Sequence, residues 1–580
     1  MDNHKIAQIL TETADLMEID GADGFRIRSY RNACQALETM TEQAADIAAT
    51  EGRKLIDVPS IGKSIAAHIE EILRTGELSV HKELLKKLSP VALEMLKIQG
   101  LGPKGIATVL SHFKVPSLGE LETLARQGKL RDLPRMGEKL EQKIIRSLES
   151  LQLTAGRRLI DVADHLAVEL ADYLKQVPDV KSVTAAGSLR RGCETVGDID
   201  LLVSGGDAKD VATHFLKHPQ IADVIAHGEN KVSVHLKEGI QVDVRMLEES
   251  CHGAALQYFT GSKLHNVALR DRAKRMGYKL NEYGLFRIHD EQLVAAATEE
   301  EIYSTLGLAY IEPELRENTG ELDAAEVAEG RPAQLPHLLR IDDMRGDLHM
   351  HSTASDGKFS ITEMAEAARD RGLEYVAITD HSKSLAMANG LNEKRLLEQI
   401  NQIRSLAKQV EGIRILCGTE VDILADGSLD LEDDALAELD VVVGSIHSHM
   451  NQPAEQMTER ILKAIENPNL CIIGHPTGRL QLRRDPFPFD MEAVLKHAKR
   501  HGVAMEINSF PDRLDLRDTH VRMCKEIGVK LVISTDSHHT RHLGHMKYGV
   551  LTARRGWLEK SDVLNTLPAE KFLAALRKSG

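Results

Sequence analysis

The chain has 580 residues, too many for a single hydrophobic core, so we expect about three or four domains. Its composition, 42% hydrophobic and 28% charged with no long apolar run or signal-peptide pattern, predicts a cytoplasmic globular protein without a membrane span. A net charge of -15 argues against a protein that coats nucleic acid nonspecifically, and six cysteines without a CxxC pair argue against a disulfide framework or thiolate zinc site.

Residues 1–150 have apolar positions at helical spacing and contain three similar glycine turns, VPSIGKSI, IQGLGPKGI and LPRMGEKL. Gly62, Gly102 and Gly137 are expected to permit a tight turn before a helix, whose free N–H groups can bind a phosphate. One such glycine is usually only a helix cap, but three copies favour binding to the nucleic-acid backbone. The pattern resembles the helix-hairpin-helix motif of DNA-repair proteins, which implies DNA contacts at these glycines and at Lys63.

Residues 155–250 contain strand-like segments, two of which carry acidic residues. In GDIDLLV, strand alternation places Asp198 and Asp200 on one face, and QVDVRML supplies Asp243 from a second strand. Three carboxylates placed together would repel one another, so a pair of Mg²⁺ ions is the expected compensation. Such a two-metal site supports in-line phosphoryl transfer.

The loop GSLRRG lies just before these strands. Its glycines allow the backbone to approach an anion, Ser188 can donate to a phosphate oxygen, and Arg190 or Arg191 can bind one. A loop of this composition is also common as a surface turn. The neighbouring acidic residues favour the phosphate-binding interpretation.

The motifs GSLRRG, GDIDLLV, VDVR and YFTGSKLHN, in this order, resemble the X family of DNA polymerases over about residues 1–317. The resemblance implies that Asp198, Asp200 and Asp243 are catalytic and hold two Mg²⁺ ions. It also implies a nucleotide-binding set, which comprises Gly187, Ser188, Arg191, Gly197, Tyr258, Phe259, Gly261 and Asn266.

The same resemblance implies that Arg270 lies close to the template strand and that Tyr30 and Arg31 bind a 5′-phosphate. It also shows one departure from the family. The lysine that forms a Schiff base with deoxyribose phosphate in polymerase beta aligns with His68 here, and histidine cannot form an imine. Lys63 lies in the turn instead, so lyase activity is not expected.

Residues 318–340, rich in Glu and Ala with Pro332 and Pro336, are predicted to be a linker between residues 251–317 and a C-terminal α/β domain. In that domain, a potential metal ligand follows most predicted strands. Active sites of parallel α/β folds lie at the carboxyl ends of strands, so these ligands should converge. They are His349, His351, Asp356, His381, Glu420, His447, His475, Asp536 and His538.

Imidazole and carboxylate ligands together suit Zn²⁺, Mn²⁺ or Fe²⁺ better than Mg²⁺. The region 341–580 resembles the PHP domain, a distorted seven-stranded barrel, which implies three metal ions, Zn²⁺ and/or Mn²⁺. By that resemblance, the first metal is held by His349, His351, Glu420 and Asp536. The second is held by Glu420, His447 and His475, and the third by Asp356, His381 and His538.

The whole pattern predicts a multidomain chain: an all-α helix-hairpin-helix region (1–150), an α+β nucleotidyltransferase palm (151–250) and thumb (251–317), a linker, and a distorted (β/α)7 PHP barrel. We expect a monomeric polymerase that fills short gaps in base excision repair, binds gapped or nicked DNA and dNTPs, and carries a 3′-5′ exonuclease. The resemblance also allows cutting at abasic sites.

Two alternatives remain open at this stage. The chain could be a histidinol-type small-molecule phosphatase fused to a DNA-binding region, which would hydrolyse a phosphate ester without incorporating nucleotides. It could instead be a non-catalytic module that binds DNA ends and uses its metals only for stability.

Overall fold

The structure is a computed structural model that describes residues 3–39, 44–50, 52–58, 60–98, 100–154, 156–328 and 332–576. The chain forms two compact units, Met1–Ala155 and Gly156–Gly580. In the described residues, no helix is long and apolar enough to cross a membrane.

The first unit is helical, as the apolar spacing predicts, and its buried residues form two hydrophobic clusters. Its helices are α1 (Asn3–Ile19), α2 (Gly24–Thr39), α3 (Ala44–Ala49), α4 (Lys63–Thr75), α5 (Ser79–Leu88), α6 (Val91–Leu96), α7 (Pro103–His112), α8 (Leu118–Arg126) and α9 (Glu138–Thr154).

The three glycine turns precede α4, α7 and α9, but the residue with positive φ in each turn is not the glycine that was expected to make it. Gly62 and Gly102 have φ of -80° and -77°, which any residue adopts. The positive φ falls two residues earlier, on Ser60 (69°), Gly100 (90°) and Arg135 (65°). The turns therefore repeat one backbone pattern, in which Gly62 and Gly102 cap helices rather than make the bend.

The second unit begins with the predicted palm. A five-stranded sheet runs in the order β2-β4-β7-β6-β5, and β1 pairs with β3 beside it. The strands are β1 (Arg158–Leu159), β2 (Val180–Ala185), β3 (Thr195–Val196), β4 (Asp198–Gly205), β5 (Ile221–His227), β6 (Lys231–Leu236) and β7 (Gln241–Leu247). The helices are α10 (Ile160–Leu174), α11 (Gly187–Arg190) and α12 (Ala208–Phe215).

The predicted thumb consists of helices around a small antiparallel sheet with the order β10-β9-β8. Its elements are α13 (His252–Thr260), α14 (Lys263–Arg275), β8 (Tyr278–Asn281), β9 (Gly284–Arg287), β10 (Leu293–Ala295) and α15 (Glu299–Thr305), and α16 (Glu321–Ala324) follows them. Helix α16 lies in the stretch predicted as a linker. There Glu321 is buried and its carboxylate lies 2.7 Å from the ring of His265, so this part of the stretch packs on the thumb.

The C-terminal domain is built on seven parallel strands in sequential order. They are β11 (Gly346–Asp347), β12 (Tyr375–Ile378), β13 (Arg414–Asp422), β14 (Val441–Ser445), β15 (Ile472–Ile473), β16 (Ala504–Asn508) and β17 (Leu531–Ser534). A bridge between Met350 and Ser537 brings the first and last strands together, which gives a nearly closed barrel. This agrees with the predicted fold class.

The barrel helices are α17 (Ile361–Arg369), α18 (Glu393–Leu406), α19 (Asp433–Leu436), α20 (Ala454–Ile465), α21 (Met491–His501), α22 (Asp518–Ile527), α23 (Met546–Arg555) and α24 (Ala569–Leu576). The barrel and the palm share a hydrophobic core. Leu514 and Tyr548 of the barrel are buried in the same cluster as the palm residues Ile199 and Leu166.

This core allows a matched test of packing in the palm. Val211 in α12 is fully buried, whereas Val168 in α10 is 55% exposed. We expect Val211→Ala to lower the free energy of unfolding by about 2 kcal/mol, because it removes buried methyl groups and leaves a cavity.

Urea unfolding measures the effect, with Val168→Ala as the control. The control should change the unfolding midpoint little. Equal effects of the two substitutions would contradict the packing described for α12.

Candidate active sites

The three acidic residues of the palm lie on two neighbouring strands. Strands β4 and β7 are parallel, and Asp200 is directly opposite Asp243 in their register. Asp198 lies two residues before Asp200, on the same face of β4. The structure therefore brings the three predicted catalytic residues together.

The site has the electrostatics of a cation site. Burial and then the charges of Asp198 and Asp243 raise the pKa of Asp200 to about 6. Although burial opposes it, hydrogen bonds from Lys231 and Gln241 lower the pKa of Asp243. A divalent cation would relieve the repulsion that raises the pKa of Asp200, so the all-oxygen donor set fits a metal such as Mg²⁺.

Lys231 and Arg245 are parts of this site that the sequence reasoning missed. The ammonium of Lys231 lies 2.6 Å from Asp243 Oδ2, and the guanidinium of Arg245 lies 3.7 Å from the same atom. Strand β6 pairs Lys231 with Arg245 on β7, and this long-range register has no local signal in the sequence.

The predicted phosphate loop comprises α11 and the residues that follow it. Gly187 has φ of +62°, and a Cβ there would lie 2.8 Å from Asp200 Oδ2. Glycine is therefore required both by the backbone conformation and by the close approach to the carboxylate. This contact places the half-buried Ser188 and the loop beside the acidic residues.

The two arginines of this loop have different partners. Arg190 makes a bidentate ion pair with Glu299 at 3.0 and 2.7 Å, so it holds the thumb. Arg191 Nε donates to Glu317 at 3.0 Å, and its Nη1 donates to the carbonyl of Thr260 at 2.6 Å. A Cβ on Gly261 would lie 3.3 Å from the same Nη1, so the predicted nucleotide residues Arg191 and Gly261 adjoin.

The other predicted nucleotide residues surround this point. The rings of Tyr258 and Phe259 meet edge to face, and the guanidinium of Arg245 stacks over Phe259 at 4.1 Å. Asn266 is buried and donates to the carbonyl of Tyr258 at 2.7 Å. Gly197 precedes β4, and the side chain of Arg270 is exposed on α14.

The N-terminal unit places its predicted DNA-binding residues in two settings. Lys63 and the glycines Gly62, Gly102 and Gly137 are exposed at helix starts, where their backbones are accessible. Tyr30 is buried, and its hydroxyl lies 2.9 Å from His68 Nδ1. Arg31 is half-exposed and pairs with Asp15 and Glu18, so its binding of a 5′-phosphate stays a prediction.

In the barrel, the nine predicted ligands converge at the carboxyl ends of the strands. Glu420, at the end of β13, occupies the centre of the cluster. One of its oxygens lies 3.3 Å from His349 and 2.8 Å from His381, and the other lies 3.3 Å from His447 and 2.9 Å from His475.

Three groups of ligand atoms are close enough to hold a metal ion. The first group repeats the predicted set Asp356, His381 and His538 and adds His351. The second comprises His349, His351 and Asp536, and the third comprises His381, Glu420 and His447. His475 reaches the cluster through Glu420, and the assignment of ligands to individual ions stays a prediction.

Buried atoms without partners provide the test of whether metals fit this site. Among the described residues, His349 Nε2, both ring nitrogens of His351, Glu420 Oε2 and His475 Nδ1 are buried without a hydrogen bond. A buried polar atom without a hydrogen bond destabilises the fold by about 1–3 kcal/mol. Because several such atoms lie together here, a bound ligand must compensate for them. Imidazole nitrogens and carboxylate oxygens around one point fit divalent metal ions.

A second layer of acidic residues orients the histidines, and the sequence reasoning did not identify it. Glu506 lies 2.8 Å from His349 Nδ1, and Asp422 lies 2.7 Å from His447 Nδ1. Such partners fix the ring orientation of metal ligands. A signal was present in both cases: Asp422 shares a strand face with Glu420, and Glu506 is a carboxylate within the apolar strand β16.

Arg479, Arg483 and Arg484 follow the ligand His475, and basic residues at such a place either bind a DNA phosphate or form a solvated loop. The structure gives Arg479 another role. It is buried and pairs with Glu194 of the palm, with one contact at 3.1 Å, while the side chain of Arg483 is 67% exposed.

Known protein families match four regions of the chain. A helix-hairpin-helix domain matches residues 1–78, and a SAM-like helix-hairpin-helix tandem matches residues 92–150. The DNA polymerase beta thumb matches residues 255–317, and the PHP domain matches residues 347–510.

The chain is similar to a DNA polymerase and to several probable phosphatases. The DNA polymerase/3′-5′ exonuclease PolX of Bacillus subtilis (strain 168) is 38% identical over 581 residues, 100% of both chains. A probable phosphatase of Thermoanaerobacter sp. (strain X514) is 32% identical over 231 residues, 38% of this chain and 89% of its own. A probable phosphatase of Vibrio campbellii (strain ATCC BAA-1116) is 30% identical over 249 residues, 41% of this chain and 94% of its own.

The phosphatases match less than half of this chain, whereas the polymerase matches it from end to end. The thumb, the helix-hairpin-helix domains and the PHP domain occur together and in the expected order. This chain therefore belongs to the bacterial X-family DNA polymerases that carry a C-terminal PHP domain.

Proposed function

We propose that this chain, a DNA polymerase and 3′-5′ exonuclease by family, fills short gaps at the palm carboxylates and removes 3′ nucleotides at the barrel histidines. Its partners are gapped or nicked DNA and dNTPs, and it acts as a monomer in the cytoplasm. The observation that carries the polymerase part is the register of Asp200 against Asp243 beside the loop at Gly187.

In the palm, Asp198, Asp200 and Asp243 would hold two Mg²⁺ ions, which supply activation of the attacking 3′ hydroxyl and stabilisation of the leaving oxygen. Lys231 keeps the carboxylate of Asp243 ionised and oriented through the contact at 2.6 Å. Ser188 and Arg191 bind the triphosphate, and Tyr258, Phe259 and Asn266 shape the pocket for the incoming nucleotide.

In the barrel, the nine ligands would hold Zn²⁺ and/or Mn²⁺, which supply a hydroxide nucleophile and neutralise phosphoryl oxygens. Glu506 and Asp422 accept from the ring nitrogens of His349 and His447 that face away from the centre. This leaves the opposite nitrogens of these rings free to bind metal. The two reactions thus use separate ligand sets in one chain.

Replacement of a palm carboxylate tests the polymerase assignment. We expect Asp243→Asn to reduce extension of a primer on a gapped duplex by at least about a hundredfold, because a neutral amide cannot replace a carboxylate ligand of the metals. Primer degradation in the absence of dNTPs should remain at the wild-type rate.

Asp223→Asn is the matched control, since Asp223 lies on the same sheet but its side chain is 63% exposed on β5. It should extend the primer normally. Full extension by Asp243→Asn, or a wild-type protein that does not extend the primer, would refute the assignment.

Replacement of the central barrel carboxylate tests the exonuclease assignment. We expect Glu420→Gln to lower the metal content of the purified protein and to abolish 3′ shortening, because Glu420 contacts ligands of all three groups. Gap filling should be retained. Elemental analysis by mass spectrometry and a labelled-primer assay give the two readouts.

Glu438→Gln serves as the control, because the Glu438 side chain is 53% exposed on the same domain. If Glu420→Gln degraded the primer and held metal as the wild type does, the barrel would not be the nuclease site.

A further inference from the structure

The outer side of the triphosphate loop lies directly against the PHP barrel. Gly192, which ends the GSLRRG motif, has φ of +65°, and a Cβ there would lie 3.1 Å from the Cβ of Leu551 in α23. The loop therefore has a fixed neighbour in the other catalytic domain. A side chain at this position would be strained by the positive φ and would require Leu551 to shift.

Arg555, at the end of α23, contacts this loop in two ways. Its Nη1 donates to the backbone carbonyl of Arg191 at 3.0 Å and to Glu317 Oε1 at 3.0 Å. The same carboxylate oxygen accepts from Arg191 Nε, also at 3.0 Å. Arg555 thus holds both the backbone of Arg191 and the partner of its side chain.

The barrel in turn fixes Arg555. Its Nε and Nη2 donate to Asp518 Oδ2 at 3.0 and 2.7 Å, and its side chain is only 10% exposed. Asp518 is the first residue of α22, so the anchor belongs to the barrel framework. A buried arginine held on two sides has little rotamer freedom and can define the position of what it contacts.

The charges of this cluster balance only when Arg555 is present. Arg191 and Arg555 are cationic, while Glu317 and Asp518 are anionic. Burial alone would raise the pKa of Glu317, but the charges of the two arginines lower it. Without Arg555, Glu317 would form an ion pair with Arg191 alone, and Asp518 would lose its ion pair. The cluster would then be net negative, which opposes the approach of a triphosphate.

A second contact between the domains involves the same loop. Arg479 follows the metal ligand His475 by four residues and pairs with Glu194, which lies two residues beyond Gly192. Gln481 also donates to Glu194 at 3.1 Å. The barrel therefore holds the loop at Arg191 and again at Glu194.

We propose that Arg555, a residue of the PHP barrel, is a positioning residue for dNTP binding in the palm, where it holds Arg191 in place and offsets the charge of Glu317. The inference rests on the proposed function, since it assigns a support to the triphosphate-binding arginine. It makes the barrel part of the polymerase site without any contact between Arg555 and the substrate.

The test measures KM and kcat for one dNTP on a duplex with a single-nucleotide gap. Arg555→Gln should raise the KM for the dNTP about tenfold, because it disturbs the charge-assisted hydrogen bonds around Arg191, with a smaller change in kcat. Arg555→Lys, which keeps the charge but not the fork geometry, should give an intermediate KM. Shortening of the primer without dNTPs should be unchanged in both, which also shows that the barrel is folded.

Lys547→Gln is the matched control for the interface. Lys547 lies on the same helix and pairs with Asp164 of the palm at 2.5 Å, away from the loop. The KM of the Lys547→Gln variant for the dNTP should equal that of the wild type. An unchanged KM in Arg555→Gln, or an equal rise in Lys547→Gln, would overturn the inference.

A double substitution tests whether Arg555 acts through Arg191. If it does, Arg555→Gln should raise the KM less in an Arg191→Lys background than in the wild type. If Arg555→Gln raises the KM by the same factor in both backgrounds, the two residues act independently and the inference is overturned. This holds even if Arg555→Gln lowers the stability of the protein. Extension by the wild-type protein separates this failure from failure of the proposed function, which would leave no extension to measure.

Discussion

Glu420 lies at 1% exposure with its carboxylate within 3.6 Å of five imidazole rings. Burying ligands in this way is unfavourable unless cations compensate for the lost hydration. Because several buried atoms of these side chains have no hydrogen-bond partner, metal binding would stabilise the strand ends that carry them. The palm carboxylates pose the same problem at a more exposed position, where burial and then the charges of Asp198 and Asp243 raise the pKa of Asp200. Both centres are arrangements of ligands that become favourable once the ions are bound.

The fold and the inner ligands follow from local sequence patterns. Alternation along β4 separates Asp198 and Asp200 from the apolar face, and the position of a histidine after an apolar run places it at the mouth of a parallel barrel. What could not be read from the sequence depends on register or on distant pairing. Lys231 reaches Asp243 because β6 lies antiparallel to β7. Arg555 reaches Arg191 across 364 positions of the chain. In both cases the local sequence gives no indication of the partner.

The helix-hairpin-helix turns show a different kind of limit. The glycines were readily recognised from the sequence, but the backbone bend falls on Ser60, Gly100 and Arg135. Only one of these three is the residue type that a positive φ favours, so composition alone could not locate the bend. The repeated motif therefore predicts the three turns correctly, but the residues with positive φ differ from one turn to the next.

The shared core of palm and barrel sets a condition on how this chain can be divided. Leu514 and Tyr548 are buried among palm residues, and the hydroxyl of Tyr548 donates to Asp164 of α10. Dividing the chain near residue 340 would expose an apolar surface on both fragments, although the sequence of this stretch predicts a linker. The palm and the barrel therefore belong to one compact unit, in which a substitution in the shared core changes the packing of both domains.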